Sequence, residues 1–254
     1  MHQWLRGAAA AASACGAAGV ACVWLPIEAK SAAARSAFDD DALRAAIPRR
    51  VASEKKLREY LSLLQSDEEA AIDRDEVELA AQKILFGVTT PHARREYLRK
   101  YGCARWTPKA LDAIAAHSPL IEIGAGSGRW ANELRTKCGA NVLAFDNRSS
   151  LAPSSEGSFG ADAVYHGDET MLLLHPERTL FLCYPPGAGN RMAERCVRVA
   201  MCDTIAYVGE GRGGVNGTRE FFDVLDAEWH VAECIDLDPF PESYERLYIL
   251  RRTS

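Results

Sequence analysis

The feature that most constrains this chain of 254 residues is a run of glycines between a short apolar segment and a helical one. The run reads LIEIGAGSG from Leu120 to Gly128, and residues 129–137 after it have the composition of a helix. Glycines let the chain turn tightly and let a ligand approach the backbone, while the free amides of the helix start face that ligand. The run therefore predicts a buried strand, a ligand-binding turn and a helix, in that order.

From residue 118 onward, short apolar runs alternate with helical segments, which is typical of βαβ units around a largely parallel sheet. The predicted strands are residues 120–123, 141–145, 163–165, 179–183, 204–208, 230–235 and 246–250, with helices over 129–137, 190–200 and 218–225. The link between the last two strands contains two prolines and is too short for a helix, so these strands should pair antiparallel. The predicted fold class is α/β, a doubly wound, mostly parallel seven-stranded sheet with an antiparallel final strand, over residues 118–254.

Residues 39–117 are predicted to form a helical cap before the sheet. Apolar residues recur at helical spacing in two stripes, one from Val51 to Leu64 and one from Val77 to Leu85, with an acidic turn between them. Residues 92–109 then concentrate basic side chains, with aromatic residues interleaved. This stretch is either a solvated helix whose aromatic rings pack on the core, or a basic aromatic wall over an active site that binds an anionic substrate.

Residues 1–38 form an Ala-rich leader. Within it, residues 7–25 carry no charge over 19 positions, which is just long enough to cross a bilayer as a helix. The leader contains one acid, Glu28, and an acid-poor segment of this kind is also typical of an organellar transit peptide. A cleaved targeting segment, a membrane anchor that contacts the bilayer through residues 7–25, and an untargeted extension all remain open. A mitochondrial, other organellar or membrane location is expected in preference to the cytoplasm.

The glycine spacing argues against a dinucleotide. A dinucleotide-binding loop has the pattern GxGxxG, whereas here the third glycine, Gly128, comes one residue early and Arg129 occupies the position of a small residue. Asp146 ends the next predicted strand, 22 residues beyond Gly124. An acid at that point lies beside the glycine turn and can accept both hydroxyls of a ribose, although a helix N-cap or turn role is the alternative. Loop and acid together favour an adenosyl ligand over NAD.

The segment from Glu122 to Gly128 resembles motif I of the class I S-adenosylmethionine-dependent methyltransferases, an acid followed by GxGxG, and the resemblance covers residues 118–252. It implies S-adenosylmethionine as the cofactor, and the residues it implies for cofactor binding are Glu122, Gly124, Gly126, Gly128, Asp146 and Asp168.

In that resemblance Glu122 faces the methionine amino group, the glycine turn lines the methionine and ribose, and Asp146 binds the ribose hydroxyls. Asp168 stands near the adenine or is a plain turn acid. The cofactor carries a sulfonium cation and no pyrophosphate, so one carboxylate near its amine and a helix start near its carboxylate suit it.

The predicted fourth strand ends in CYPPGAG, where two prolines direct the chain out of the strand. The run resembles the Asn- or Asp-Pro-Pro-aromatic motif of amino-group methyltransferases, but Tyr184 stands in place of the amide or acid and Gly187 in place of the aromatic. This departure disfavours methylation of an exocyclic base nitrogen or a glutamine amide. Tyr184 is instead a catalytic candidate that stacks on or hydrogen-bonds the acceptor, the alternative being a rim aromatic that packs the loop.

The segment after the predicted fifth strand contains five glycines over residues 209–217. Loops with little side chain at strand ends often close over ligands. Glu210 and Arg212 are its charged residues: Glu210 is a catalytic candidate that accepts a proton from the acceptor or binds its amine, and Arg212 would bind a carboxylate or phosphate. The alternative is a solvent loop with a surface ion pair.

Composition and motifs exclude several other classes. The eight cysteines are irregularly spaced without a CxxC pair, and the histidines lack metal-ligand spacing, so no metal site is predicted and the thiols suggest a reducing compartment. Neither a GxSxG elbow nor a GxxxxGK[ST] loop occurs. The net charge is −5 overall and −7 over residues 118–254, which disfavours long nucleic acid and favours a small acceptor.

The sequence thus predicts a methyltransferase that uses S-adenosylmethionine and acts on an unidentified acceptor. Two other classes stay open. A noncatalytic, methyltransferase-like binding module is compatible with the missing polar residue at the CYPP motif, since fold does not imply function. A nucleotide-dependent oxidoreductase is the third alternative, and Arg129 in the glycine turn disfavours it.

Overall fold

The computed structural model describes residues 35–66, 73–147, 164–187 and 189–253. The helices before the sheet are α1 (Asp41–Ser66), α2 (Arg74–Phe86), α3 (Ala93–Tyr101) and α4 (Pro108–Ala115). The elements that follow are β1 (Leu120–Ile123), α5 (Arg129–Cys138), β2 (Val142–Asp146), β3 (Tyr165–His166), α6 (Met171–Leu174), β4 (Thr179–Cys183), α7 (Met192–Val199), β5 (Thr204–Gly209), α8 (Arg219–Glu228), β6 (Trp229–Asp236) and β7 (Arg246–Arg252).

The strands form one sheet in the order β3-β2-β1-β4-β5-β7-β6. All pairings from β3 to β5 are parallel, and β7 runs antiparallel to both of its neighbours. The predicted fold class, including the antiparallel final strand, is confirmed. Because the chain leaves β1 toward β2 on one side and returns to β4 on the other, a crevice opens at the carboxyl ends of these strands, where α/β sheets bind ligands.

The sheet is covered on both faces. Ile121, Leu180 and Ile205 pack under α7 and α8, whereas Leu120 and Phe181 pack under α4 and α5. Helix α4 begins at a Thr107 N-cap, whose side chain accepts from the Ala110 N–H. Buried residues of α4 share one core with the sheet, so this helix packs as part of the α/β layers although it precedes residue 118.

The predicted third strand shows the largest shift in position. Strand β3 pairs Tyr165 with Phe145 and His166 with Asp146, whereas the prediction covered residues 163–165. Residue 163 lies outside the described part of the chain. A two-residue strand at the sheet edge carries little hydrophobic pattern, because both of its side chains are exposed.

The helical stripes in residues 39–117 correspond to α1 and α2. Leu57 and Val77 are buried as predicted, but Val51 is 44% exposed, so the first stripe is wrong at that position. The aromatic residues of the basic stretch pack on one another and on the core: Tyr97 contacts Phe240, and Trp106 contacts Trp130. This packing agrees with the first interpretation of the stretch.

Phe38, the last residue of the predicted leader, belongs to the core. Its ring lies 5.4 Å from the ring of Phe222 and 5.3 Å from that of Tyr248, measured between centroids, and its carbonyl accepts from the Arg212 N–H at 2.9 Å. Residues 35–38 therefore pack with the folded chain. Within the described ranges, no helix has the length and apolar character needed to span a membrane; residues 7–25 lie outside those ranges.

We expect Phe38→Ala to lower the free energy of unfolding by about 3–5 kcal/mol, because it removes a buried ring and leaves a cavity between Phe222 and Tyr248. Urea denaturation followed by circular dichroism measures the change. Val51→Ala, on exposed α1 surface, is the control and should stay within about 0.5 kcal/mol of the parent. Equal effects of the two substitutions would contradict the placement of Phe38 in the core.

Candidate functional site

The glycine turn after β1 is tied to the end of β2. The carbonyl oxygen of Phe145 accepts from the N–H groups of Gly124, at 2.8 Å, and Ala125, at 3.0 Å. Gly124, Gly126 and Gly128 have φ values of 78°, 58° and 71°, a region that only glycine occupies without strain. Gly128 is the N-cap of α5 and has no side chain that could cap the N–H groups of its first turn.

Asp146 ends β2 with its carboxylate turned toward this loop. Its Oδ2 accepts from the Gly126 N–H at 2.8 Å, and the residue is buried. A Cβ added to Gly126 would meet no atom of the described residues within 4 Å, so these residues leave space beside the loop at this point. The structure thus brings the predicted acid and the predicted turn together beside space for a ligand.

Glu122 lies on β1 below the turn and is 2% exposed. Its Oε2 has no hydrogen-bond partner among the described residues. Burial raises the pKa of this carboxyl to about 8; the nearby Arg135 lowers it and the Asp146 carboxylate raises it. A buried carboxyl with an unsatisfied oxygen is costly, so it is a good candidate for contact with a cationic ligand group.

Met192, at the start of α7, is a neighbour of the loop that the sequence did not indicate. A Cβ on Gly124 would lie 2.9 Å from the Met192 methyl carbon, so this flexible thioether packs against the turn. Met192 belongs to no sequence motif, because it is a single apolar residue at the start of a helix, and only its packing identifies it as part of the site.

Asp168 follows β3, next to the strand that carries Asp146. Its Oδ1 accepts from the Thr170 N–H at 3.0 Å and from the Thr170 hydroxyl at 2.6 Å, and these bonds lower the pKa of Asp168. The contacts match the turn-acid alternative. A role near the adenine stays a prediction.

Tyr184 follows β4 with a φ of 51°, an uncommon conformation for a residue with a side chain. Its N–H donates to the Val208 carbonyl at 2.7 Å, and the next carbonyl, of Pro185, accepts from the Asn216 amide at 3.1 Å. Burial raises the pKa of the Tyr184 phenol well above its ordinary value. Strained residues concentrate at functional sites, and this one lies at the same sheet edge as the glycine turn. Its contact with an acceptor stays a prediction.

The Glu210 carboxylate is bound by other groups of the chain. The residue is fully buried, and both of its carboxylate oxygens bind the Arg50 guanidinium of α1. Its oxygens also accept from the N–H groups of Val215 and Tyr244, each at 3.0 Å. With its acceptor positions engaged by the protein, Glu210 anchors α1 to the sheet, and the predicted catalytic role is not supported.

The glycine-rich loop after β5 is likewise packed rather than open. The Arg212 guanidinium donates to Asp223 at 2.8 Å and to Asp226 at 2.6 Å, so it does not point toward the crevice. A Cβ on Gly211 would collide with the Phe38 carbonyl oxygen, and one on Gly187 with the Val215 carbonyl oxygen. These glycines allow close backbone approach and do not form a lid.

Two further site candidates are Arg94, which belongs to the basic stretch of residues 92–109, and Glu245, which the sequence did not indicate. Arg94 is buried, its guanidinium carbon lies 4.8–5.3 Å from three aromatic ring centroids, and its Nε and Nη1 lack hydrogen-bond partners in the described chain. Glu245, just before β7, is buried with both carboxylate oxygens unpartnered in that same part of the chain. Burial raises the pKa of Glu245 to about 7. The basic run predicts an anion-binding wall but does not distinguish Arg94 from its neighbours, and Glu245 lies in a polar link that has no sequence signal.

Asp75, Glu78 and His92 form a separate cluster, and their potential metal-ligand atoms lie within 4.8 Å of one another. Arg95 already occupies its centre: its guanidinium donates to Asp75 at 2.9 Å and to Glu78 at 3.2 Å, and it contacts His92. A cation in that position is typical of an ion-pair network, not of a metal centre.

No family model and no curated protein matches the chain. Among solved structures, the 1,6-didemethyltoxoflavin-N1-methyltransferase of Burkholderia thailandensis, with bound S-adenosylhomocysteine, is 15% identical over 73% of this chain and 93% of its own, with a TM-score of 0.41. TrmN from Thermus thermophilus is 14% identical over 57% of this chain and 48% of its own, with a TM-score of 0.39. The 23S rRNA methyltransferase ErmE is 17% identical over 59% and 69%, with a TM-score of 0.36.

The names of these structures include an rRNA methyltransferase and one that binds a small molecule. The match spans about half the length of TrmN. At TM-scores of 0.36 to 0.41, the similarities establish neither a family nor an acceptor for this chain.

We expect Glu210→Gln to lower the free energy of unfolding by about 3–5 kcal/mol, because it leaves the Arg50 guanidinium without its counter-charge. Urea denaturation measures the loss. The double variant Arg50→Met/Glu210→Gln removes both charges and should recover part of the stability. A single variant as stable as the parent would show that the ion pair does not hold α1.

The pKa of Glu122 predicts a pH-dependent stability. Its pKa is about 8 in the folded chain and 4.5 for an ordinary glutamate, so the folded state retains a proton that the unfolded state loses. The free energy of unfolding should therefore fall as the pH rises from about 5 to about 8. Glu245, whose pKa is raised to about 7, contributes to the same slope at lower pH. Glu122→Gln should therefore reduce the slope, most clearly above pH 7, in urea denaturation at several pH values, whereas Glu220→Gln, on exposed α8 surface, should keep it. Identical slopes in the parent and Glu122→Gln would contradict the prediction.

Proposed function

We propose that this chain transfers a methyl group from S-adenosylmethionine to an acceptor. The observation that carries the proposal is the Asp146 carboxylate, which binds the Gly126 N–H beside open space at the crevice between β1 and β4. A ribose placed there presents two hydroxyl donors to an acid whose position is already fixed. Glycine spacing and the Arg129 side chain, which lies against Gly102, disfavour a dinucleotide in the same place.

Other residues around the loop fit the remaining parts of the cofactor. The unpartnered Oε2 of Glu122 is buried and suits the cationic amino group. The start of α5 offers backbone N–H groups to the carboxylate. When bound, the cofactor supplies a methyl group on a positively charged sulfur. The chain's own contribution is to hold this group and the acceptor in line and to exclude water.

We further propose a small molecule as the acceptor. The connection between α3 and α4 supports this choice, because Gly102 packs against the Arg129 side chain next to the glycine turn. A covered crevice restricts the size of what can enter it. The charge of −7 over residues 118–254 also opposes a polyanion.

Calorimetry with S-adenosylmethionine and S-adenosylhomocysteine tests the proposal. We expect micromolar-range affinity that falls at least about tenfold, or ~1.4 kcal/mol, in Asp146→Ala. Asp146→Asn keeps an oxygen for the Gly126 N–H but removes the charge, so it separates support of the loop from binding of the ribose. Glu220→Ala, on exposed α8 surface, should bind like the parent.

The outcomes distinguish the three classes of function. A folded parent chain that gives no heat with either ligand would refute the methyltransferase and leave the noncatalytic module. Tight binding of NADH would instead favour the oxidoreductase. Unchanged affinity in both Asp146 variants would show that the carboxylate is not the ribose ligand.

A further inference from the structure

Arg94 and Glu245 are oppositely charged, buried and close enough to influence each other electrostatically, yet they do not pair. Both oxygens of Glu245 and two nitrogens of Arg94 lack hydrogen-bond partners in the described structure. Nearby, the partly buried Arg50 and the buried Glu210 form a bidentate ion pair. An unsatisfied buried group is costly, and more so when it is charged, so binding of a polar group between Arg94 and Glu245 would be favoured.

The surroundings of Arg94 define what it can bind. Its guanidinium carbon lies 4.8 Å from the ring centroid of Phe240, 5.1 Å from that of Phe86 and 5.3 Å from that of Tyr97. These rings fix the cation without accepting its in-plane N–H bonds. Guanidinium N–H groups match the geometry of carboxylate and phosphate oxygens, so the complement of this position is an anionic oxygen group.

Glu245 lies on the acceptor side of the proposed cofactor site. It precedes β7, whose antiparallel pairing places Arg246 opposite Gly209 at the carboxyl end of β5. Burial raises the pKa of Cys183, at the end of β4, and the carboxylates of Glu122 and Glu245 raise it further. The end of β4 therefore stands within reach of both acids, with Glu122 under the glycine turn.

The cluster also borders the surface. Tyr184 is partly exposed; burial and, to a smaller extent, the nearby Glu245 carboxylate raise the pKa of its phenol. Tyr97 contacts Arg94 with its ring, and burial and the nearby Glu245 carboxylate raise the pKa of its phenol, so Tyr97 lies close to both charges.

We propose that Arg94 and Glu245 form the acceptor-binding site, and that the acceptor is a small molecule with a carboxylate or phosphate group and a hydroxyl or amine nucleophile. The proposal rests on the proposed methyl transfer. Arg94 binds the anionic group, and Glu245, as a carboxylate, accepts the hydrogen bond of the nucleophile.

In the transfer step, the nucleophile's lone pair forms the bond to the methyl carbon while the carbon–sulfur bond breaks and its electron pair stays on sulfur. The nucleophile's proton passes to Glu245, and S-adenosylhomocysteine is left. With a pKa of about 7, Glu245 is partly ionised at neutral pH, which suits a general base.

The binding test uses 4-hydroxybenzoate as the probe, because it carries both a carboxylate and a hydroxyl donor. Calorimetry is done at pH 7 on the full chain saturated with S-adenosylhomocysteine. We expect Arg94→Met to weaken probe binding at least tenfold, while Arg99→Met, an exposed arginine on the same helix, changes it less than twofold. Arg94→Lys keeps the charge but loses the planar fork, and replaces Arg94→Met if that variant does not fold.

Glu245 is tested by the protons exchanged on probe binding, measured as the dependence of the heat on buffer ionisation enthalpy. The parent should exchange protons and Glu245→Gln should not, with the affinity for S-adenosylhomocysteine unchanged within twofold in both. Radiolabelled methyl transfer from S-adenosylmethionine into yeast extract should place label in the small anionic fraction and lose it in Glu245→Gln.

Several results would overturn the acceptor proposal alone. These are equal probe binding in Arg94→Met and Arg99→Met, the same proton exchange in Glu245→Gln as in the parent, and label in RNA rather than in small anions. A double variant Arg94→Met/Glu245→Gln that is more stable and binds the probe unchanged would show a purely structural pair. Failure of the parent to bind S-adenosylhomocysteine would overturn the proposed methyl transfer instead, and probe binding without cofactor would still report on Arg94.

Discussion

The site depends on three hydrogen bonds that join the turn after β1 to the end of β2. Phe145 accepts two of them through one carbonyl oxygen, and the neighbouring Asp146 side chain accepts the third. Because both strands are buried parallel neighbours, the backbone of the turn and the acid are held by the sheet itself. Preorganisation of this kind lets a ligand bind without first ordering a loop.

Buried charge serves two different purposes in this chain. Arg50 and Glu210 satisfy each other and hold α1 on the sheet. Arg94 and Glu245, a short distance away, retain unsatisfied donors and acceptors. Breaking a buried ion pair is destabilising. A pair whose hydrogen bonds are all made has no free donor or acceptor for a ligand, whereas buried groups without partners can still bind one.

The sequence predicts the parts of the site that local pattern controls. Strands β1 and β4 have the predicted bounds, because each is a short apolar run between turn residues, and Asp146 faces the glycines as expected. The ion pair of Glu210 could not be predicted, because its partner Arg50 lies 160 residues away and no local pattern joins the two residues. The same holds for Glu245, whose burial arises only when β7 pairs with β5 and α3 covers that edge.

The antiparallel direction of β7 determines which edge of the sheet the β6–β7 link occupies. A strand that runs against its neighbours starts where they stop, so the hairpin link between β6 and β7 delivers residues to the edge that contains the glycine turn. Changes in the length or composition of that link would alter this edge of the sheet, while the hydrogen bonds between the glycine turn and β2 would stay intact. The β6–β7 link and the β1–β2 turn can therefore change independently, as separate segments of one chain.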